Sequence, residues 1–276
     1  MSSKPGMATL GRAAVLSIAA AFVILPLVAT FLGGFKTIGE LRSSPFGLPP
    51  HWDMSYYGEI LHNPQFWSYL QSSLFVSLSA VLLTLLCAAM AAYVFAHIRF
   101  FGSKMLLSYL LLGMMFPFAT AILPLFIKIR DLGLLDNYLG VILPQTAFSM
   151  AFAIVLFKSF FEQLPHELFE AAYVEGCSYT RFFFQFTLPL STPILATVGT
   201  FVFVQSWNNY LLPLVVINSR EMFTWPLGMM QFRGEFIVEW NKILAFVSLT
   251  IFPAIVFFLA AQKYIVAGLT RGSVKG

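Results

Sequence analysis

Residues Leu70–Ala96 read LQSSLFVSLSAVLLTLLCAAMAAYVFA, a run without one Asp, Glu, Lys, Arg or His. A helix rises 1.5 Å per residue, so about 20 apolar residues cross a bilayer core roughly 30 Å thick. The stretch therefore reads as a membrane-spanning helix. Working outward from it, five further segments have the same character: Ala13–Phe35, Met105–Ile127, Tyr138–Phe157, Phe186–Ile217 and Ile243–Gln262. Six spans place both chain ends on one side. Lys4 and Arg12 precede the first run as they would in a secretory signal, but the run is too long and no small-residue cleavage site closes it.

The composition agrees. Of 276 residues 59% are apolar and 10% charged, against about 45–50% and 25% in an ordinary soluble domain. The net charge of +4 comes from bases scattered singly between apolar runs. They form no stripe, so nucleic acid is not an expected partner and lipid is. Cys87 lies in an apolar run and Cys177 in a polar connection; they show no metal, redox or disulfide spacing and read as packing residues.

Lys and Arg concentrate in cytoplasmic connections. Lys4 and Arg12, Arg99 and Lys104, and Lys263, Arg271 and Lys275 mark three acid-free places, which predicts cytoplasmic N- and C-termini. Lys158 and Arg181 put the connection between spans four and five on the same side. Two connections on the other side, 36–69 and 218–242, are too long to be turns. They read as extracytoplasmic loops that meet a partner outside the membrane. Trp52, Tyr56, Tyr57, Trp67, Trp225 and Trp240 lie at the outer span ends, which suits rings that are apolar in body and polar at the tip.

No Asp, Glu, Lys, Arg or His falls inside the six spans as drawn. Proton-coupled carriers keep such groups for their relays, so the energy source is expected on another polypeptide. A secondary solute carrier not driven by ATP is the alternative, because broken helices can bind sodium through carbonyls. The chain has no Gly-x-x-x-x-Gly-Lys-Ser/Thr loop to cradle ATP. His166-Glu167-Leu168-Phe169-Glu170 begins like a zinc-protease helix, but Glu170 stands where the second His belongs. No catalytic residues and no metal ligands are expected.

The connection 158–185 is polar enough to leave the membrane and patterned enough to fold. Pro165 suits a helix start, with Glu167 near the positive end of the helix dipole. Gly176 suits its exit. Leu168, Ala171 and Ala172 share one narrow face of small residues. Ser178 can cap a second helix through Phe186, and Pro189 is expected where that helix bends into span five.

Glu170-Ala171-Ala172, Gly176 and Leu188-Pro189 together resemble the EAA loop of importer-type ABC transporter permeases. Phe186 stands where that family usually has Ile, and Glu175 where it often has Asp. Trp207-Asn208-Asn209-Tyr210-Leu211 and the tail Ala267–Gly276 resemble the smaller permease of the maltose-type carbohydrate transporters. The resemblance implies an all-α membrane protein with six transmembrane helices in the type I ABC importer permease fold. The chain would be a single permease domain, 1–276, in the bacterial cytoplasmic (inner) membrane, with 158–185 as its cytoplasmic coupling loop. Its implied partners are a second, different permease, two ATP-binding subunits carrying ATP and Mg, and an extracytoplasmic solute-binding protein.

In that family the Glu matching Glu170 pairs with a base on the ATPase. Arg271 and Lys275 would add a tail contact, and Arg220, Glu221, Arg233 and Glu235 are candidates for the binding-protein contact. Trp207, Asn208, Asn209 and Tyr210 are candidates for the substrate path. For Asn208 and Asn209 a hydrogen bond between helices, worth roughly 0.6–2 kcal/mol, is the favoured role.

Overall fold

The computed structural model describes residues 7–234 and 238–271, which are almost entirely helical. In chain order the helices are α1 (Met7–Gly33), α2 (Ile38–Ser43), α3 (Ser55–His62), α4 (Pro64–His97), α5 (Ser103–Leu112), α6 (Phe118–Asp131), α7 (Leu139–Phe161) and α8 (His166–Val174). They continue as α9 (Tyr179–Leu190), α10 (Thr192–Trp207), α11 (Leu211–Val216) and α12 (Trp240–Arg271). Among the described residues, α1, α4, α7 and α12 each contain a continuous span, and two bent helix pairs raise the number to six.

Spans three and five are each broken into two helices. α5, continued by a 3-10 turn to Met115, meets α6 at 103°. Pro117 explains the break: Phe116, which precedes it, is forced into extended backbone (φ −81°, ψ 121°). In span five α9 meets α10 at 77°. The bend falls at Ser191 and not at Pro189, which lies inside α9. A π turn over Phe183–Thr187 precedes it. Such a wide turn relieves the clash a proline ring would make with the carbonyl one turn back. The fifth span also ends at Trp207, short of the predicted Ile217, and Leu211–Val216 forms a separate helix.

Two compact units divide the chain, one built from residues up to Trp67 with Met229–Phe252, the other from Ser68–Gly228 with the chain from Pro253. In the first unit, much of the chain from Lys36 to Trp67 is ordered. Thr37 and Glu40 form a capping box at the start of α2. The buried Lys36 donates from Nζ to the carbonyls of Ser44 (2.8 Å) and Pro45 (3.2 Å). Pro64 occupies the first position of α4, with Asn63 Oδ1 accepting from the Gln65 N–H (2.9 Å). The loop therefore ends at Asn63. Tyr57 is buried, and its hydroxyl donates to the Phe31 carbonyl (2.7 Å). Lys242 pairs with Glu59 (2.9 Å) and Glu239 (3.3 Å).

In the second unit a core of Val76, Ile129, Val141, Ile142, Leu212, Val216 and Leu227 gathers α4, α6, α7 and α11. Asp136 clamps the turn before α7 to the segment after α11. It adopts φ +53°, a left-handed conformation that Asp tolerates. Its N–H donates to the Val216 carbonyl (2.8 Å). Its carboxylate accepts from the N–H groups of Asn218 (2.9 Å) and Ser219 (2.8 Å) and from the Ser219 hydroxyl. Those donors hold the Asp136 carboxyl below the usual carboxylate range, the Ser219 hydroxyl contributing most.

Candidate functional site

The patterned connection folds much as its sequence predicts. α7 runs one turn past the expected end, so Lys158 lies in its last turn and pairs with Glu162 (2.6 Å). Pro165 is the N-cap of α8 and Glu167 sits in its first turn. The helix closes in a Schellman motif: the Gly176 N–H donates to the Tyr173 carbonyl (3.0 Å) and the Cys177 N–H to that of Ala172 (2.9 Å). Gly176 has φ +77°, and a Cβ there would meet nothing within 4 Å. The turn demands glycine for backbone conformation, not for space. Ser178 Oγ accepts from the Arg181 N–H (3.3 Å) and caps α9.

Which face of α8 touches the body is the part the sequence reading misses. Phe169 is the inward side chain. It stacks on His97 at the end of α4 (5.9 Å, interplanar 2°) and meets Tyr179 (5.4 Å) and Phe182 (5.1 Å) edge-on or tilted. Tyr93, one turn earlier on α4, lies against His97 (4.9 Å) and Phe183 (5.1 Å) and donates its hydroxyl to the Tyr179 carbonyl (3.1 Å). Aromatic pairs at these separations add about 0.5–1.5 kcal/mol beyond burial. With Phe169 turned in, Glu170 and Ala171 are exposed and Ala172 is half-buried. Glu170 and Ala171 therefore point away from the aromatic seat, while Leu168 lines a cavity beside it. Leu188 is half-buried and Pro189 exposed on α9, so a continuous run of chain leads from the exposed face of α8 into α10.

The span-five candidates separate into three roles. Trp207 is buried, stacks on Phe203 (5.4 Å), and its carbonyl accepts from Trp225 Nε1 (2.6 Å). Asn208 Nδ2 donates to the Val204 carbonyl of its own helix (2.9 Å), and Asn209 Oδ1 accepts from the Leu212 N–H (3.2 Å). These amides cap α10 and α11, in place of the predicted bond between helices, because the chain leaves helix at Trp207 and exposes backbone groups that need partners. Tyr210 packs beside the core. Of the four, Asn209 lines a cavity of about 380 Å3 between α6, α7 and α10. Gln145, Ser149, Gln205 and Ser206 supply the rest of its polar wall. Gln145 is an amide in the middle of an apolar run, a signal present in the sequence and not used.

In the outer loop Arg220 and Glu221 form an exposed 3-10 turn, held by the Ser68 hydroxyl on the Glu221 carbonyl (2.8 Å). Arg233 is exposed. Glu235 and Lys275 lie outside the described residues, and Arg271 is the last residue of α12. Among the described residues no three His, Cys, Asp or Glu side chains converge as metal ligands.

Comparison with known proteins gives this arrangement a family. Residues 80–271 match the model of the binding-protein-dependent transport system inner membrane component. The chain is 32% identical over 264 residues to the diacetylchitobiose uptake system permease protein NgcG of Streptomyces coelicolor, covering 95% of this chain and 87% of that one. It is 32% identical over 257 residues to the trehalose transport system permease protein SugB of Mycobacterium tuberculosis, covering 92% and 93%. Its fold is similar to a chain of a bacterial ABC transporter involved in the import of the acidic polysaccharide alginate, with a TM-score of 0.80, 24% identity, and 93% and 95% coverage. The chain belongs to the family of binding-protein-dependent transport system inner membrane components. It is a multi-pass permease subunit of an ABC importer.

Proposed function

We propose that this chain is the smaller-type permease of a carbohydrate importer and passes ATPase motion to the membrane through α8. The observation that carries the coupling role is the way α8 is seated. Phe169 fixes one side to the aromatic cluster of α4 and α9, and the opposite side presents Glu170 and Ala171 outward. Small side chains let a second surface approach closely, and a carboxylate beside them can take a charge-assisted hydrogen bond from a base on the partner. A push on α8 then travels through Gly176, α9 and the bend at Ser191 into α10 as a rigid-body displacement.

The carbohydrate class is supported by the relatives, which are permeases of diacetylchitobiose and trehalose uptake systems. The partners proposed are a second, different permease, two ATP-binding subunits holding ATP and Mg, and an extracytoplasmic binding protein. Segment 162–185 and both chain ends face the cytoplasm, and Arg271 and Lys275 extend the ATPase contact. Arg220, Glu221, Arg233 and Glu235 face the binding protein.

Glu170→Arg tests the coupling. In proteoliposomes holding the whole transporter, ATP-driven uptake and binding-protein-stimulated ATP hydrolysis are expected to fall together by at least tenfold, since a like charge replaces an attraction in the docked pair. Wild-type levels of both would remove α8 from the mechanism.

A further inference from the structure

The loop that follows α1 carries an apolar surface that neither the spans nor the coupling helix explains. Residues 46–54 read Phe-Gly-Leu-Pro-Pro-His-Trp-Asp-Met, with no Lys or Arg and one acid. Phe46, Leu48, Trp52 and Met54 are each 59–74% exposed. Single exposed apolar side chains are ordinary, but four large ones on one short loop mark a contact surface.

Two ties fix where that surface sits. Lys36, just past the end of α1, is buried and holds the carbonyls of Ser44 (2.8 Å) and Pro45 (3.2 Å), so the loop returns to the end of the span. Phe35, the last residue of the first apolar run, packs edge-on against Phe31 of α1 (5.2 Å) and against Trp52 (5.2 Å). Phe31 is exposed on the span itself. The exposed apolar side of α1 is therefore joined to the loop through a chain of three rings. A loop held at the end of a membrane span lies at the boundary between acyl chains and headgroups, the level at which Trp rings settle.

The backbone suits that level. Irregular chain next to hydrocarbon is costly because its N–H and C=O groups lose water. Pro45, Pro49 and Pro50 have no N–H to strand. Lys36 takes two of the carbonyls, and the Asp53 carboxylate accepts from the Ser55 N–H (2.8 Å) at the start of α3. A surface shaped for a soluble protein carries a polar rim, and this stretch, with no basic residue, suits lipid better.

We propose that residues 46–54 form an interfacial anchor that enters the lipid leaflet at that end of α1, with Phe46, Leu48 and Met54 among the upper acyl segments and Trp52 at headgroup level. Its ligand is the lipid surface, without selection by headgroup charge. Over this stretch the loop holds the chain to the bilayer, in place of the expected contact with a partner outside the membrane. The inference depends on α1 being a span and not on which solute is carried or which side the loop faces.

The test places a nitroxide spin label at Phe46→Cys and, separately, at Leu48→Cys, in the whole transporter otherwise freed of cysteine and held in nanodiscs of phosphatidylethanolamine and phosphatidylglycerol. Power saturation compares collisions with oxygen, which concentrates in lipid, and with a water-soluble nickel chelate. Oxygen collisions are expected to exceed nickel collisions at both positions, and the ratio is expected to stay the same when the binding protein is added; one position decides if the other variant does not assemble. Nickel collisions above oxygen would show a loop in water and overturn the anchor. Few collisions with either reagent before the binding protein is added would show that another subunit covers the loop, and a fall in both only on its addition would make the binding protein the occupant. Either result overturns the proposal, while leaving the transport reading untouched.

Discussion

Gly176 shows how much one residue carries. Its φ of +77° closes α8 and sets the direction in which the chain enters α9, and the space around its absent Cβ is empty. Gly176→Ala should therefore cost only the backbone strain, about 1 kcal/mol. Gly176→Asn should cost less, since Asn tolerates the left-handed region. Thermal unfolding of the purified transporter checks the order Gly, Asn, Ala; equal stability of the three would refute it. This glycine was legible because its role is local. Phe169 was not, because in a chain that is 17% aromatic nothing in one dimension distinguishes the ring that faces His97 from its neighbours. Gln145 was legible and overlooked: its amide interrupts an apolar run, and a polar side chain within a span asks for a partner.

At the scale of elements, apolar run length predicted six spans, and run length is blind to bends. Pro117 carried the clue to the break in span three, through the restriction it places on Phe116. In span five the obvious proline misled, since the π turn before Pro189 keeps it in helix and Ser191 takes the bend. The outer loops hold short helices that run length does not show, and Asp136 is the clearest case of elements joined by one side chain. Its carboxyl titrates below the ordinary 3.8 in the folded state. Its contribution to stability is thus complete above that value and disappears as pH falls through the lower folded one. Asp136→Asn should lower the unfolding temperature at neutral pH and bring it closer to that of wild type as the medium is acidified below pH 3.8. A difference that stays constant across that range would show that the clamp does not depend on charge.

At the scale of the molecule, much of the apolar surface is left exposed among the described residues. Val15, Leu16, Ile18 and Phe22 on α1 are all more than 60% exposed, as suits a helix facing lipid or another subunit. A permease that is one part of an assembly leaves such surface for its neighbours, and the exposed face of α8 belongs to the same logic at the other end of the scale. The central claim is that a separate ATPase grips that face. Placing a photoactivatable benzoylphenylalanine at Ala171 in the intact transporter measures this most directly. The account predicts a cross-link to the ATP-binding subunit. A cross-link to the extracytoplasmic binding protein, or none to any ATPase, would contradict it.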